Sequence, residues 1–132
     1  MFRFRKKAST QAADTAEPQS YALITEDEPI LRLNATAMLE DMGFAVLGAE
    51  TAAEAMELME KNAVELLITD VHMHGNFDGL ALAQMAGTRW PALKIVVCSG
   101  RTRVVASELP AGATFVPKPY TMDDIENAIL SF

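Results

Sequence analysis

A single cysteine, Cys98, rules out an internal disulfide and points to a reducing, cytoplasmic compartment. Apolar runs are short, and none approaches the roughly 18 residues that a membrane-spanning helix needs. Positive charge is scarce past residue 20: from Tyr21 onward there are seven basic and sixteen acidic residues, a net charge of −9. A body that acidic repels phosphate backbones and is no general binder of nucleic acid. Half of the 132 residues are hydrophobic, enough for one domain with a proper core.

Four of the eleven basic residues fall in the opening Met1-Phe2-Arg3-Phe4-Arg5-Lys6-Lys7. That start is basic like the first region of a signal peptide. The following Ala8-Ser9-Thr10-Gln11-Ala12-Ala13-Asp14 is no apolar core, so no secretory leader is expected. Residues 1–20 lack periodicity and close on Glu17-Pro18-Gln19-Ser20, which reads as a disordered, solubilising tail before a domain at 21–132.

Within that domain short apolar runs alternate with amphipathic stretches. Ala22-Leu23-Ile24-Thr25 reads as a first strand. Pro29 opens a helix with Leu31, Ala35, Met38 and Met42 at helical spacing, and Gly43 stops it. Ala45-Val46-Leu47 is a short second strand, and Thr51 with Glu54 forms a capping box for a helix to about Lys61. Val64 to Thr69 is a third strand ending at Asp70, followed by a helix from about Asp78 to Arg89. Leu93 to Cys98 is a fourth strand ending at Ser99-Gly100, and Phe115-Val116 belongs to a fifth. Thr121 and Asp124 cap a last helix with Ile125, Ala128 and Ile129 inward. The crossover between Ser99 and Ala113 has room for two helical turns at most, around Val104 to Glu108, or for none.

Strands alternating with helices imply a parallel sheet covered on both faces, here a flavodoxin-like (βα)5 fold with strand order 2-1-3-4-5. Ligands of such sheets bind outside the carboxyl ends of the strands. Glu26-Asp27-Glu28, Asp70 and Lys118-Pro119 all stand at strand ends, so the fold would gather them in one crevice. Clustered carboxylates resist ionisation unless a cation joins them, and a nearby lysine suggests an arriving anion. Magnesium and a phosphoryl group satisfy both demands.

Four motifs in order resemble the receiver domain of bacterial two-component response regulators. They are Glu26-Asp27, the stretch from Asp70 through Val71-His72-Met73-His74 to Asp78-Gly79, Ser99-Gly100, and Lys118-Pro119-Tyr120. The likeness covers about Tyr21 to Phe132 and is strongest to stand-alone receivers with a Ser-Gly-Arg turn and a Pro-Lys-Pro-Tyr stretch. It implies that Asp70 accepts a phosphoryl group. Glu26, Asp27, Asp70 and the backbone carbonyl of His72 would hold Mg2+. Ser99 and Lys118 would contact phosphoryl oxygens, and Phe115 would be an aromatic switch residue working with Ser99. The donor would be a sensor histidine kinase or a histidine phosphotransfer protein. His72 and Arg101, near the acceptor, imply slow loss of the phosphoryl group. With no output domain expected after Phe132, the signal would pass by contact with a downstream protein. The expected surface runs from the fourth strand to the last helix, near Arg101, Arg103 and Tyr120, and is also a possible homodimer face.

Other readings stand beside this one. Glu28 is a helix-start charge rather than a ligand. His72 and His74 diverge in a loop and do not suggest a transition-metal site. Cys98 alternates away from Ser99 into the core, and Trp90 packs at a helix end. A degenerate receiver acting as an adaptor without phosphorylation, or a phosphate sink, would share the fold. An aspartyl-phosphate hydrolase would need a second acid where His72 stands, and a flavin module would avoid an acidic crevice. The chain is therefore expected to be a signalling module that assists its own phosphorylation, not an enzyme with turnover.

Overall fold

The computed structural model describes residues 20–73, 79–100, 104 and 106–131. Five strands form one parallel sheet: β1 (Tyr21–Thr25), β2 (Ala45–Ala49), β3 (Val64–Asp70), β4 (Lys94–Ser99) and β5 (Thr114–Pro117). Their order is β2-β1-β3-β4-β5, as the alternation of elements implies. Four α-helices are present among the described residues: α1 (Pro29–Asp41), α2 (Ala52–Lys61), α3 (Gly79–Arg89) and α4 (Met122–Leu130). No helix of the described residues is long and apolar enough to cross a membrane.

Successive strand residues point to opposite faces, so the unbroken apolar runs feed two cores. Ala22, Ile24, Leu66, Ile68, Val96 and Cys98 share one cluster with Ala35 and Leu39 of α1 and Ile125 and Ile129 of α4. Leu23, Leu67, Ile95 and Val97 share the other with Ala55 and Met59 of α2 and Leu82 and Ala86 of α3. A fully buried Leu or Ile contributes about 1.5–3 kcal/mol, more than any single cap, so packing fixes the layers and caps fix where helices end.

Those ends follow the sequence closely. Gly43 takes φ 100°. Its N–H reaches the Glu40 carbonyl at 2.9 Å, and the Phe44 N–H reaches the Leu39 carbonyl at 3.1 Å. This closure needs the left-handed conformation that glycine enters freely. Thr121 and Asp124 close a full capping box on α4. The box expected at Thr51 is only half of one. Thr51 Oγ1 accepts the Glu54 N–H at 3.1 Å, but the Glu54 carboxylate accepts from the Glu50 N–H instead.

Two details depart from the sequence pattern. The inward stripe of α1 is Ala35, Leu39 and Met42, whereas Leu31 is 39% exposed because the first turn of α1 overhangs the sheet end. Among its described residues the fourth crossover holds a 3-10 turn, Ala106–Glu108, beside a buried Val104. Pro110 lies there against Gly87 of α3, so close that an added Cβ at Gly87 would stand 2.8 Å from the proline ring.

Candidate functional site

Strand register builds the site. Thr25 pairs with Thr69, so Glu26 emerges beside Asp70. Asp70 pairs with Cys98, which sets Ser99 one step beyond it. Ser99 pairs with Pro117, which delivers Lys118 to the same edge. Backbone bonds carry the sheet one step further: the Val71 N–H donates to the Cys98 carbonyl at 2.9 Å and the Lys118 N–H to the Ser99 carbonyl at 3.0 Å. Four short segments, distant in sequence, thus end within one crevice of ≈ 630 Å³ lined by Asp27, Asp70, His72, Ser99 and Lys118 among others.

Carboxylate oxygens of Glu26, Asp27 and Asp70 lie within 4.8 Å of one another. The Lys118 ammonium donates to Glu26 Oε1 at 2.7 Å and stands 3.5 Å from Asp70 Oδ2. Glu26 is buried, and Asp27 and Asp70 are half-buried. Three hard oxygen donors without a thiolate or imidazole among them suit Mg2+, which prefers oxygen and keeps several of its waters. One ammonium does not neutralise three carboxylates, so the cluster has charge to spare for a dication.

The family model of the response regulator receiver domain matches residues 22–130. The chain belongs to this family. It is 32% identical over 123 residues to the transcriptional regulatory protein PdtaR of Mycobacterium tuberculosis, covering 91% of this chain and 59% of PdtaR. The chain thus spans little more than half the length of that relative. It is also 32% identical over 110 residues to the receiver protein CpdR of Brucella abortus, covering 81% of this chain and 91% of CpdR. A response regulator receiver protein from Sinorhizobium medicae superposes with a TM-score of 0.79 at 28% identity, over 89% of this chain and 95% of that one. The protein is therefore a receiver domain of two-component signalling, a signalling module of the flavodoxin-like type.

The receiver's remaining sequence-marked residues divide clearly. Ser99 is buried at the end of β4, and His72 follows Val71 at the mouth, exposed. Phe115 is half-buried and packs on the core shared by α2 and α3. Cys98 points into the opposite core, where burial pushes its thiol pKa up to about 12. Tyr120 is half-buried: it packs on the core that joins α1, β4, β5 and α4 and lines a groove with Leu31, Met38 and Gly100. His74, Asp78, Arg101 and Arg103 lie outside the described residues.

One supporting residue, Arg32, escaped the sequence reading, and Gly79 stood in the second motif without a role assigned to it. Arg32 of α1 donates from its guanidinium to the Glu26 carbonyl at 2.8 Å, holding the acidic turn against the helix. The Gly79 N–H donates to the Val71 carbonyl at 2.7 Å, and a Cβ there would run into the Asp70 carbonyl. An arginine six residues after an acid is a common pattern and gives no signal by itself.

Burial raises the pKa of Asp70 from its ordinary value, and the neighbouring Lys118 only partly opposes it. Burial raises Glu26 likewise against its hydrogen bond to Lys118. For Lys118 burial alone would lower the pKa, but the bond to Glu26 and the charges of Asp70 and Glu26 outweigh it and raise it. A carboxyl whose folded pKa is raised stabilises the fold below its ordinary pKa and loses that contribution as pH rises through the folded value. Ionised Asp70 therefore costs the metal-free protein stability at neutral pH. Asp70→Asn should raise the metal-free melting temperature by a few degrees, about 1 kcal/mol. The gain should shrink as pH falls and Asp70 itself becomes neutral. Thermal melts in chelator across pH check this; a gain that grows on acidification would contradict it.

Proposed function

We propose that Asp70 is the phosphoacceptor of this receiver and that a phosphohistidine is its donor. The observation that carries the reading is the convergence of Glu26, Asp27, Asp70 and Lys118 at adjoining strand ends, with Ser99 at the next. Glu26, Asp27, Asp70 and the His72 carbonyl would hold Mg2+, which when bound supplies positive charge over the phosphoryl oxygens.

The chain's own groups do the rest. The Asp70 carboxylate attacks phosphorus in line as the bond from phosphorus to the donor imidazole breaks, and the imidazole leaves. Such transfers need positioning and charge more than covalent help from the protein. Lys118 offers a compact ammonium that moves from Asp70 to a phosphoryl oxygen without demanding planar geometry. The Ser99 hydroxyl offers a hydrogen bond to another oxygen. The aspartyl phosphate carries more negative charge than the carboxylate it replaces, so Ser99 and Lys118 are drawn toward it. Phe115, on the edge strand β5 that leads into Lys118, repacks in response, and a downstream protein reads the altered surface. An acidic body that repels phosphate backbones favours output by contact with a protein over general binding to nucleic acid.

Beryllofluoride with Mg2+, a mimic of the acyl phosphate, tests the reading. The amide resonances of Ser99, Gly100 and Lys118 should shift in wild type and stay in place in Asp70→Asn. Unshifted wild-type resonances would favour an adaptor that works without phosphorylation.

A further inference from the structure

We propose that Arg32 is a positioning residue for the divalent-cation site, and that the bare backbone of Gly48 on β2 gives it room to act. This role rests on the reading of Glu26, Asp27 and Asp70 as metal ligands, and it says how the first two are aimed.

Glu26 lies just past the end of β1, and α1 opens with the bond from the Arg32 N–H to the Glu28 carbonyl at 2.9 Å. The turn between them belongs to neither element, so no regular ladder orients its peptide planes. Four bonds hold Glu26 instead. Its N–H donates to the Ala49 carbonyl of β2 at 3.0 Å. Its Oε2 accepts the Glu28 N–H at 3.3 Å, and its Oε1 accepts the Lys118 ammonium at 2.7 Å. The fourth runs from Arg32 Nη1 to the Glu26 carbonyl at 2.8 Å. That carbonyl belongs to the peptide unit joining Glu26 to Asp27. A peptide unit is planar, so fixing its oxygen fixes the direction in which the chain enters Asp27. Arg32 thereby sets one neighbouring carboxylate relative to the other, through a charged donor that bonds more strongly than a neutral one.

The path of the arginine accounts for a glycine on an edge strand. Gly48 pairs with Ile24 near the end of β2 and takes no positive φ, so backbone conformation does not call for glycine there. Space does. A Cβ on Gly48 would stand 3.4 Å from Arg32 Cδ and 3.7 Å from Arg32 Cγ. The half-buried arginine stem crosses β2 where the strand carries no side chain. An added methyl only touches the stem, whereas a branched residue would fill its path. Glycine inside a strand often marks such a close approach.

A cation beside a metal site has two opposite effects. Its charge repels a dication, so removing it would tighten Mg2+ binding. Its hydrogen bond holds ligands in place, and losing such an outer-shell partner typically weakens metal affinity about 10–100-fold. The sign of the change separates positioning from plain charge.

Mg2+ titrations followed by amide resonances test this on Arg32→Met, Gly48→Val and the double variant. Each single variant should bind Mg2+ about tenfold more weakly, and the double variant no more weakly than either, because both remove one bond. Gly48→Val keeps Arg32 and improves strand propensity, so it decides the matter even where Arg32→Met folds poorly. Arg32→Lys keeps the charge with a shorter reach and should also bind more weakly than wild type. In chelator, 15N relaxation should show the Asp27 and Glu28 amides loosened in both single variants, with Leu23 of β1 unchanged. Equal or tighter Mg2+ binding by Arg32→Met, additive losses in the double variant, or wild-type order at Asp27 and Glu28 would each overturn the role. If wild type takes up no Mg2+, the metal reading fails, while loosened Asp27 and Glu28 amides in the variants still assign the turn to Arg32.

Discussion

Gly79→Ala is expected to destabilise the protein by about 3 kcal/mol, a melting-temperature loss of about 10 °C or more. The glycine opens α3 directly against the end of β3. Its N–H donates to Val71, and an added Cβ would strike the Asp70 carbonyl while standing 2.7 Å from Thr69 Oγ1. Thr69 Oγ1 is itself committed to the Asp70 carbonyl at 3.0 Å. Backbone on one side and a committed hydroxyl on the other leave no flexible side chain to move aside. Either α3 or the tip of β3 must shift, and the second choice moves Asp70 out of its cluster. Mg2+ affinity should therefore fall along with stability. Gly100→Ala is the control: the nearest atom to its added Cβ is the Lys118 Cβ at 3.5 Å, an ordinary contact. Melts of the two variants side by side check the argument. A Gly79→Ala protein that melts with wild type would refute the close approach of α3.

Lys118→Met should cost about 2 kcal/mol in chelator and much less in Mg2+. The change keeps the length of the side chain and removes its charge. Glu26, with its side chain 5% exposed, then loses its partner at 2.7 Å, and Asp70 loses its nearest cation. Breaking a fully buried pair costs about 3–5 kcal/mol, and the 21% exposure of the Lys118 side chain lowers the figure here. A dication among the same carboxylates replaces the missing charge, and a more negative site binds it more tightly. The gap between variant and wild type should therefore narrow as Mg2+ is added. A gap that stays constant across the titration would mean that metal and ammonium do not share these carboxylates.

Much of this was legible from periodicity. Apolar runs buried on both faces betray a covered parallel sheet, and each run's last residues name the site because parallel strands all end on one edge. Register could not be read, yet it sets Glu26 beside Asp70 and Lys118 beyond Ser99. Cys98 could be placed inward because alternation in a strand is strict. Leu31 could not: helical spacing identifies a stripe but not how far the helix overhangs the sheet. Among the described residues of the fourth crossover a 3-10 turn stands at Ala106–Glu108, where so short a link, closed by Pro110, leaves little room for a helix. Arg32 and Gly79 act through contacts with neighbouring backbone, which one-dimensional spacing does not encode.

Intact-protein mass after incubation with a small phosphoryl donor and Mg2+ tests the central claim most directly. Wild type should gain one phosphoryl group, removed by chelator added beforehand, and Asp70→Asn should gain none. A phosphoryl group that persists in Asp70→Asn, or that forms equally well without a divalent cation, would contradict the account.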